Sequence, residues 1–337
     1  TKTFTPTFGT SQGRIIGAYA NLTTVYRNFA TIDLAVRNDW NSTLRKGNNS
    51  YLYYSVAGTL NLTEAFPSLK SDWVRLAKIR ANYGRTGKAN TRYATDSYYG
   101  TANPSDGFGP QILFPFNNLP GFTLFNGAGN PLLEPEFTTS AEVGIDLSLV
   151  KDRLSIELTR YQTNSTGVIL AVPNSSAAGI SSVVLNAGSL DTKGWEAGVT
   201  ITPIKTKNGF WSTTFNFTQF KSVVEDLAPG VQNVFLGGFV TPNVRLVVGD
   251  EYGQLYGNKY KRDANGTLLL NANGFPQPTA NVDKIGNPNP DWTLGVSNTI
   301  SYKAISLGVL LDIRTGGDQY SRNLADLRRN GVVAETA

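Results

Sequence analysis

The chain has 337 residues, a formal net charge of +5, 40% hydrophobic but only 16% charged residues, 34 glycines, and neither cysteine nor histidine. Without Cys there is no disulfide framework, thiolate metal site or Cys nucleophile, and without His the usual general base and commonest metal ligand are missing. The positive charge is dispersed, with no Lys/Arg run that would form a nucleic-acid stripe, and no apolar stretch approaches the ~18 to 20 residues of a membrane helix.

This length allows one large all-β unit or two smaller domains. The absence of Met, at position 1 and elsewhere, points to an internal piece of a longer protein more than to a mature chain trimmed behind a signal sequence.

In chain order, short runs alternate with period two, as a two-faced strand requires. Ala30, Ile32, Leu34 and Val36 oppose Thr31, Asp33, Ala35 and Arg37, and Leu52, Tyr54, Val56, Leu60 and Leu62 oppose Tyr53, Ser55, Thr59 and Asn61. Val143, Ile145, Leu147 and Leu149 oppose Glu142, Gly144, Asp146 and Ser148, and Leu154, Ile156 and Leu158 oppose Ser155, Glu157, Thr159 and Tyr161. Ala197, Val199 and Ile201 then oppose Glu196 and Thr200, and Phe215 and Phe217 oppose Asn216 and Thr218. Last, Leu294, Val296, Ile300 and Tyr302 share a face, and Ile305, Leu307, Val309, Leu311 and Ile313 share one across a very short link. Asn298 is the discordant member: it faces a neighbouring protein, or a bulge shifts the register there.

Charge falls mostly on one face, which suits a wall with lipid on one side and a polar lumen on the other. A lipid-facing Arg at mid-membrane costs roughly 2 to 4 kcal/mol, so Arg160, on the apolar register, is expected to snorkel near a rim. Aromatic residues at Tyr26, Trp40, Tyr51, Trp73, Tyr161, Trp211, Phe220, Trp292 and Tyr302 suit the bilayer interface.

The connections alternate in size. Links near Asn28, Lys151 with Asp152, Lys205 to Gly209, and Lys303 are tight, whereas long loops are expected at about 85–136, 164–186 and 223–291. That asymmetry is the one shown by short periplasmic turns and long extracellular loops. Parity then requires the 223–291 segment either to stay on the outer side, which is the preferred reading, or to cross an even number of times, and it contains a small hairpin turning at Asn265-Gly266. A calcium-loop reading of Asp263, Asn265 and Gly266 lacks the completed ligand spacing. Core packing in a soluble β-sandwich remains the competing reading of the alternation.

Several phrases resemble the SusC/RagA family of TonB-dependent outer-membrane transporters of Bacteroidetes. They include LAVRNDWNSTL from Leu34, LAKIRANYGRTG from Leu76, NPLLEPEFTTSAEVGIDLSL from Asn130, VLNAGSLDTKGWEAGVTITPI from Val184 and IGNPNPDWTLGVSNTISY from Ile285. The resemblance implies an all-β fold, an antiparallel transmembrane barrel of about 22 strands of which residues 1–337 supply roughly ten, with the plug and the closing strands not in this chain. It implies import of an oligosaccharide or peptide captured by a SusD-like lipoprotein, energised by the TonB complex through the plug region, with outer-membrane lipid around the wall. No cofactor, metal or covalent chemistry is implied.

Candidate substrate or partner contacts are the loop aromatics Tyr98, Tyr99, Phe108, Phe114, Phe116, Phe235 and Phe239, which offer flat surfaces to sugar rings or partner anchors. Candidate lumen or plug contacts are Asp33, Arg37, Lys78, Arg80, Glu142, Asp146, Glu157, Glu196, Asp312 and Arg314. The competing roles are a transporter-like scaffold in a surface adhesion, secretion or motility complex, and a soluble binding module. Carboxylates such as Glu134 and Glu136 lie in a Pro-rich loop without an evident catalytic partner.

Overall fold

The computed structural model describes residues 10–90, 92–102, 104 and 112–334. In chain order the strands are β1 (Ile15–Tyr26), β2 (Ala30–Asn41), β3 (Ser50–Asn61), β4 (Val74–Lys88), β5 (Tyr99–Thr101), β6 (Phe122–Leu124), β7 (Gly127–Ala128), β8 (Glu136–Leu149) and β9 (Leu154–Pro173). They continue with β10 (Ser182–Lys205), β11 (Gly209–Leu227), β12 (Asn233–Gly238), β13 (Asn243–Val247), β14 (Gln254–Gly257), β15 (Asp283–Gly286), β16 (Pro290–Tyr302) and β17 (Ile305–Gly316). Two short helices accompany them: α1 (Leu62–Ala65) lies between β3 and β4, and α2 (Arg322–Arg329) follows β17.

One antiparallel wall runs β1-β2-β3-β4-β8-β9-β10-β11-β16-β17, with β7 added in parallel to the end of β10. Because β11 pairs directly with β16, the intervening segment never crosses the wall, and it forms its own sheet β12-β13-β14-β15. The wall is not closed: β1 and β17 are its two edges.

The pairing register fixes the slope. The row Tyr26, Ala30, Leu60, Ile79, Ile145, Leu158, Ala197, Phe217, Leu294, Ile313 begins at the turn after β1 and ends eight residues above Ile305. That is a climb of about 27 Å over about 43 Å of sheet, a strand tilt of roughly 32°. The value approaches the tilt that barrel closure in a membrane requires.

The tight links gather at one rim. Arg27 and Asn28 take φ of 46° and 60°, and Phe29 N donates to Tyr26 O at 3.1 Å, which matches the twist of the two strands they join. Val150, Lys151, Asp152 and Lys303 adopt the same left-handed backbone. The longer link between β3 and β4 reaches this rim too, where Val150 and Lys151 donate to the carbonyls of Trp73 and Asp72. By the short-turn rule this is the periplasmic rim.

The opposite rim carries the bulk of the loops, and the buried apolar residues collect there. Val224 and Leu227 of β11 pack against Val234 and Leu246 of the outer sheet, and Leu133 is fully buried in the connection before β8. The wall itself has almost no conventional core, since one of its faces meets lipid and the other the lumen.

Three expectations about the connections need correction. Most of 164–186 is not loop but the extended arms of β9 and β10, paired from Asn164↔Asp191 to Pro173↔Ser182, which leaves Asn174 to Ser181 as the connection. The long outer connections are bounded by Lys88 and Glu136, and by Leu227 and Pro290. The hairpin near Asn265 does not turn on two residues: Asp263 N donates to Thr267 O across Ala264, Asn265 and Gly266, with Gly266 at φ 84°. This is the three-residue form in which glycine supplies the left-handed position.

Candidate functional site

The ladder sorts the side chains into two rows. Leu34, Val56, Ile145, Leu158, Val199, Phe215, Val296 and Leu311 lie on the apolar face. Asp33, Arg37, Lys78, Arg80, Glu142, Asp146, Glu157, Glu196, Asp312 and Arg314 all lie on the other, as the registers place them. The charged face is the lumen face, because ionised groups in lipid carry a large desolvation cost.

Two lumen clusters are held together. Asp146 accepts from Lys78 Nζ at 2.6 Å and from Arg80 Nε at 3.1 Å, while Arg80 Nη2 donates to Thr159 Oγ1 at 2.6 Å, so β4, β8 and β9 are tied at one level. In the second, Arg37 Nε lies 2.8 Å from Asp39 Oδ1, and Tyr53 OH donates to Asp39 Oδ2 at 2.8 Å. Asp33 accepts from Thr23 Oγ1 at 2.6 Å, and Arg314 Nη2 donates to Pro288 O at 2.8 Å.

Glu142, Glu157 and Glu196 form no salt bridge among the described residues. Glu142 receives only a long contact from Ser140 Oγ, at 3.4 Å. They sit on three adjacent strands, with Glu196 opposite Thr159 and Glu142 opposite Tyr161. The structure therefore divides the candidate charges into groups satisfied within the wall and an acidic group left open to the lumen.

Asp39, Tyr53 and Thr159 join the lumen clusters although they are not among the candidate lumen contacts. Asp39 continues the parity of Asp33 and Arg37, which is a usable signal, but Tyr53 and Thr159 become partners only through the register between strands.

On the lipid face, Arg160 departs from the expected rim position. Its Nη1 donates to Gly194 O at 3.0 Å and its guanidinium lies 5.1 Å from the Trp195 ring centre, so the charge is held against the neighbouring strand, six residues above the start of β9, and not at a rim. Tyr51, Tyr161 and Phe220 depart from the expected interfacial belt: their registers place them on the lumen side, with Tyr161 and Phe220 both opposite Gly194. Asn298 involves no bulge. It pairs in unbroken register with Thr213 and Val309, and Thr213 Oγ1 donates to its Oδ1 at 2.6 Å.

The loop aromatics separate into two groups. Tyr98 stacks on Phe125 with ring centres 5.0 Å apart, Tyr99 projects from β5, and Phe114 lies against the bare Cα of Gly121. Phe116 pairs through its backbone with Leu119. Phe235 and Phe239 belong to the β12 region, where Phe239 meets Tyr320 edge-on at 6.3 Å and Arg322 at 5.1 Å. No ring contact joins the two groups among the described residues. Phe108 lies outside the described residues.

The outer sheet contains one strongly coupled polar group. Asp250 accepts from Lys284 Nζ at 2.7 Å and from the Tyr256 hydroxyl. Burial opposes ionisation of Asp250, yet these two donors outweigh it and hold the carboxyl below the ordinary range. Burial and the same hydrogen bond push the Tyr256 phenol well above its usual value. In the neighbouring loop, Thr95 and then Arg45 hold Asp96 low, and the Arg45–Asp96 ion pair ties the β2–β3 connection to the long loop before β8. Among the described residues no group of acidic side chains has metal-site geometry.

Residues 2–328 match the family described as TonB dependent receptor-like, beta-barrel, and the chain belongs to that family. It is similar to TonB-dependent receptor P3 of Formosa agariphila, at 24% identity over 99% of this chain and 35% of the relative. It is also similar to TonB-dependent receptor P26 of the same organism, at 26% identity over 91% of this chain and 32% of the relative. Among solved structures, the RagAB peptide importer in its closed-closed state superimposes with a TM-score of 0.72 at 21% identity, covering 90% of this chain and 33% of that one. The chain thus spans about a third of the length of these relatives. The resemblance to SusC/RagA transporters is borne out, and the wall is a partial outer-membrane β-barrel.

Proposed function

We propose that this chain forms part of the wall of an energised importer that takes up an oligosaccharide or peptide delivered by a SusD-like surface lipoprotein, with TonB acting on a plug held in the lumen. The observation that supports this reading best is the division of the inner wall. Lys78, Arg80 and Asp146 satisfy one another, whereas Glu142, Glu157 and Glu196 present carboxylates that form no salt bridge among the described residues. An open acidic patch on a lumen face suits contact with a basic surface of the plug. The loop aromatics Tyr98, Tyr99, Phe114, Phe116, Phe235 and Phe239, with Phe108 in the same loop as Phe114, supply the outer surface for partner or substrate. The RagAB assembly, a peptide importer, makes a peptide a natural first cargo to test.

The experiment is purification of the full-length protein from outer membranes, followed by growth and uptake assays on a deletion strain. Co-purification of a surface lipoprotein, and loss of uptake of an oligosaccharide or peptide both in the deletion strain and without TonB, is the expected result. Recovery of a large envelope assembly with undiminished uptake in the deletion strain would instead assign a scaffold role.

A further inference from the structure

The periplasmic rim between β10, β11, β16 and β17 combines three features found together nowhere else in the described wall. The first is a cavity of about 380 Å³ lined chiefly by Ile204, Phe210, Trp211, Ile300 and Tyr302, nearly all of it apolar. Ile204, Trp211 and Ile300 share one lipid-facing row, so the cavity opens to the bilayer. The second is cationic: Lys205 ends β10, Lys207 lies in the β10–β11 turn and Lys303 lies in the β16–β17 turn. None of these three lysines forms a salt bridge among the described residues. Arg153, which donates to Pro203 O at 2.7 Å, adds a fourth positive group beside them.

The third feature is rigidity. Thr206 closes its turn by accepting from Gly209 N at 2.9 Å and donating to Gly209 O at 3.0 Å. Lys303 N donates to Asn208 O at 2.8 Å, which joins the two lysine-bearing turns. Trp211 Nε1 points to Asn298 Oδ1 at 3.5 Å, and Lys303 Nζ lies 5.3 Å from the Tyr302 ring centre, so the aromatic walls are oriented as well. The carboxylates of this rim are placed one hairpin away, where Asp72 engages Lys151 and Arg75, and Asp152 accepts from Ser148.

We infer that this is a binding site for an anionic phospholipid of the periplasmic leaflet, its phosphate among Lys205, Lys207 and Lys303 and an acyl chain in the cavity against Trp211 and Ile300. The chemistry selects the occupant: an apolar slot open to lipid, with Lys303 against its Tyr302 wall and Lys205 and Lys207 on the adjoining turn, matches an amphiphile with a negative head. A zwitterionic lipid fills the slot equally well but gains less from the lysines. A free phosphate gains nothing from the slot. This inference rests on the outer-membrane position of the barrel and not on the cargo it carries.

The test uses the full-length protein in detergent, exposed to an equimolar mixture of phosphatidylglycerol and phosphatidylethanolamine and read by native mass spectrometry. Preferential retention of phosphatidylglycerol is expected, and K205Q/K207Q/K303Q should reduce that preference by roughly tenfold or more, since each basic side chain near an anionic surface contributes on the order of fivefold. K46Q, in the outer β2–β3 connection, should retain it. Equal retention of the two lipids by the unaltered protein, or an unchanged preference in the triple variant, would overturn the inference. Should the triple variant fail to insert, the unaltered protein decides: phosphatidylglycerol must raise its unfolding temperature more than phosphatidylethanolamine or inorganic phosphate does, and equal shifts would count against the site.

Discussion

Thr213 Oγ1 donates a 2.6 Å hydrogen bond to Asn298 Oδ1 on the lipid-facing side of adjacent strands. An amide facing lipid has no water to fall back on, so this bond makes Asn298 tolerable where the alternation calls for an apolar residue. Thr213→Val should therefore cost about 1 kcal/mol, the scale measured for polar pairs within membranes. Combining it with Asn298→Leu should recover most of that loss, because the Thr213 hydroxyl and the Asn298 amide are then both gone and Trp211 Nε1 gives up only a long 3.5 Å contact. Unfolding of the full-length barrel, followed by its heat-dependent gel mobility, measures both; a double variant no more stable than Thr213→Val would refute the pairing.

The lumen charges make a sharper contrast. Asp146 neutralises both Lys78 and Arg80, and its side chain is only 15% exposed. Asp146→Asn should destabilise the wall by about 1 to 3 kcal/mol, as expected when a partly buried charged group loses its partner. Glu142→Gln with Glu196→Gln removes no wall contact of that kind and should leave unfolding unchanged, while raising leakage of large antibiotics if these groups hold the plug. Arg80 also bonds Thr159, so its replacement combined with that of Glu142 should both weaken the wall and raise leakage. Unaltered antibiotic sensitivity in the glutamate variant would remove the proposed plug contact.

The Asp250–Tyr256–Lys284 group gives the outer sheet a pH signature. The folded carboxyl of Asp250 is held below its ordinary value of 3.8, so its contribution is fully present above about pH 4 and is lost as pH falls through the lowered value. Tyr256 is raised above its ordinary value of 10.0, so its contribution is present below pH 10 and is lost as pH climbs further. Protection of the β13–β15 amides from hydrogen exchange should accordingly stay level between these limits and fall outside them. Tyr256→Phe should lower it by about 1.5 to 3 kcal/mol at neutral pH, as for a lost hydrogen bond to a charged acceptor. A profile identical to that of the unaltered protein would show that the group does not stabilise the sheet.

The wall was legible in the sequence because period-two alternation is a local signal. The faces of Asp33, Arg80, Glu196 and Arg314 follow from counting along one strand, and the side on which Lys303 turns follows from the parity of crossings and the shortness of the link. The same count puts Tyr161 and Phe220 on the lumen side, against the pull of their aromatic character toward the interface, whereas the partnerships of Tyr53 with Asp39 and of Thr159 with Arg80 depend on the register between strands, which carries no local signal. The outer sheet was hidden for a related reason. Its strands are four to six residues long, too short to show a period, and they are assembled by contacts such as Lys284 with Asp250 that span 34 positions.

Gly194 offers a test of the lumen surface itself. A Cβ built there would lie 2.3 Å from Tyr161 Cζ, so the phenol ring rests on a glycine that no other residue can replace without displacement. Its carbonyl also accepts from Arg160 on the lipid side, so both faces of the wall depend on the backbone at this point. Gly194→Ala should force the Tyr161 ring off its seat and cost about 1 to 3 kcal/mol, the usual penalty of overpacking. Because the clash involves only the far end of a side chain, Tyr161→Ala in the same protein should relieve it. The quantity to measure is the unfolding midpoint of the single and double variants. Equal losses in both would locate the strain in the backbone of β10 and not in the ring above it.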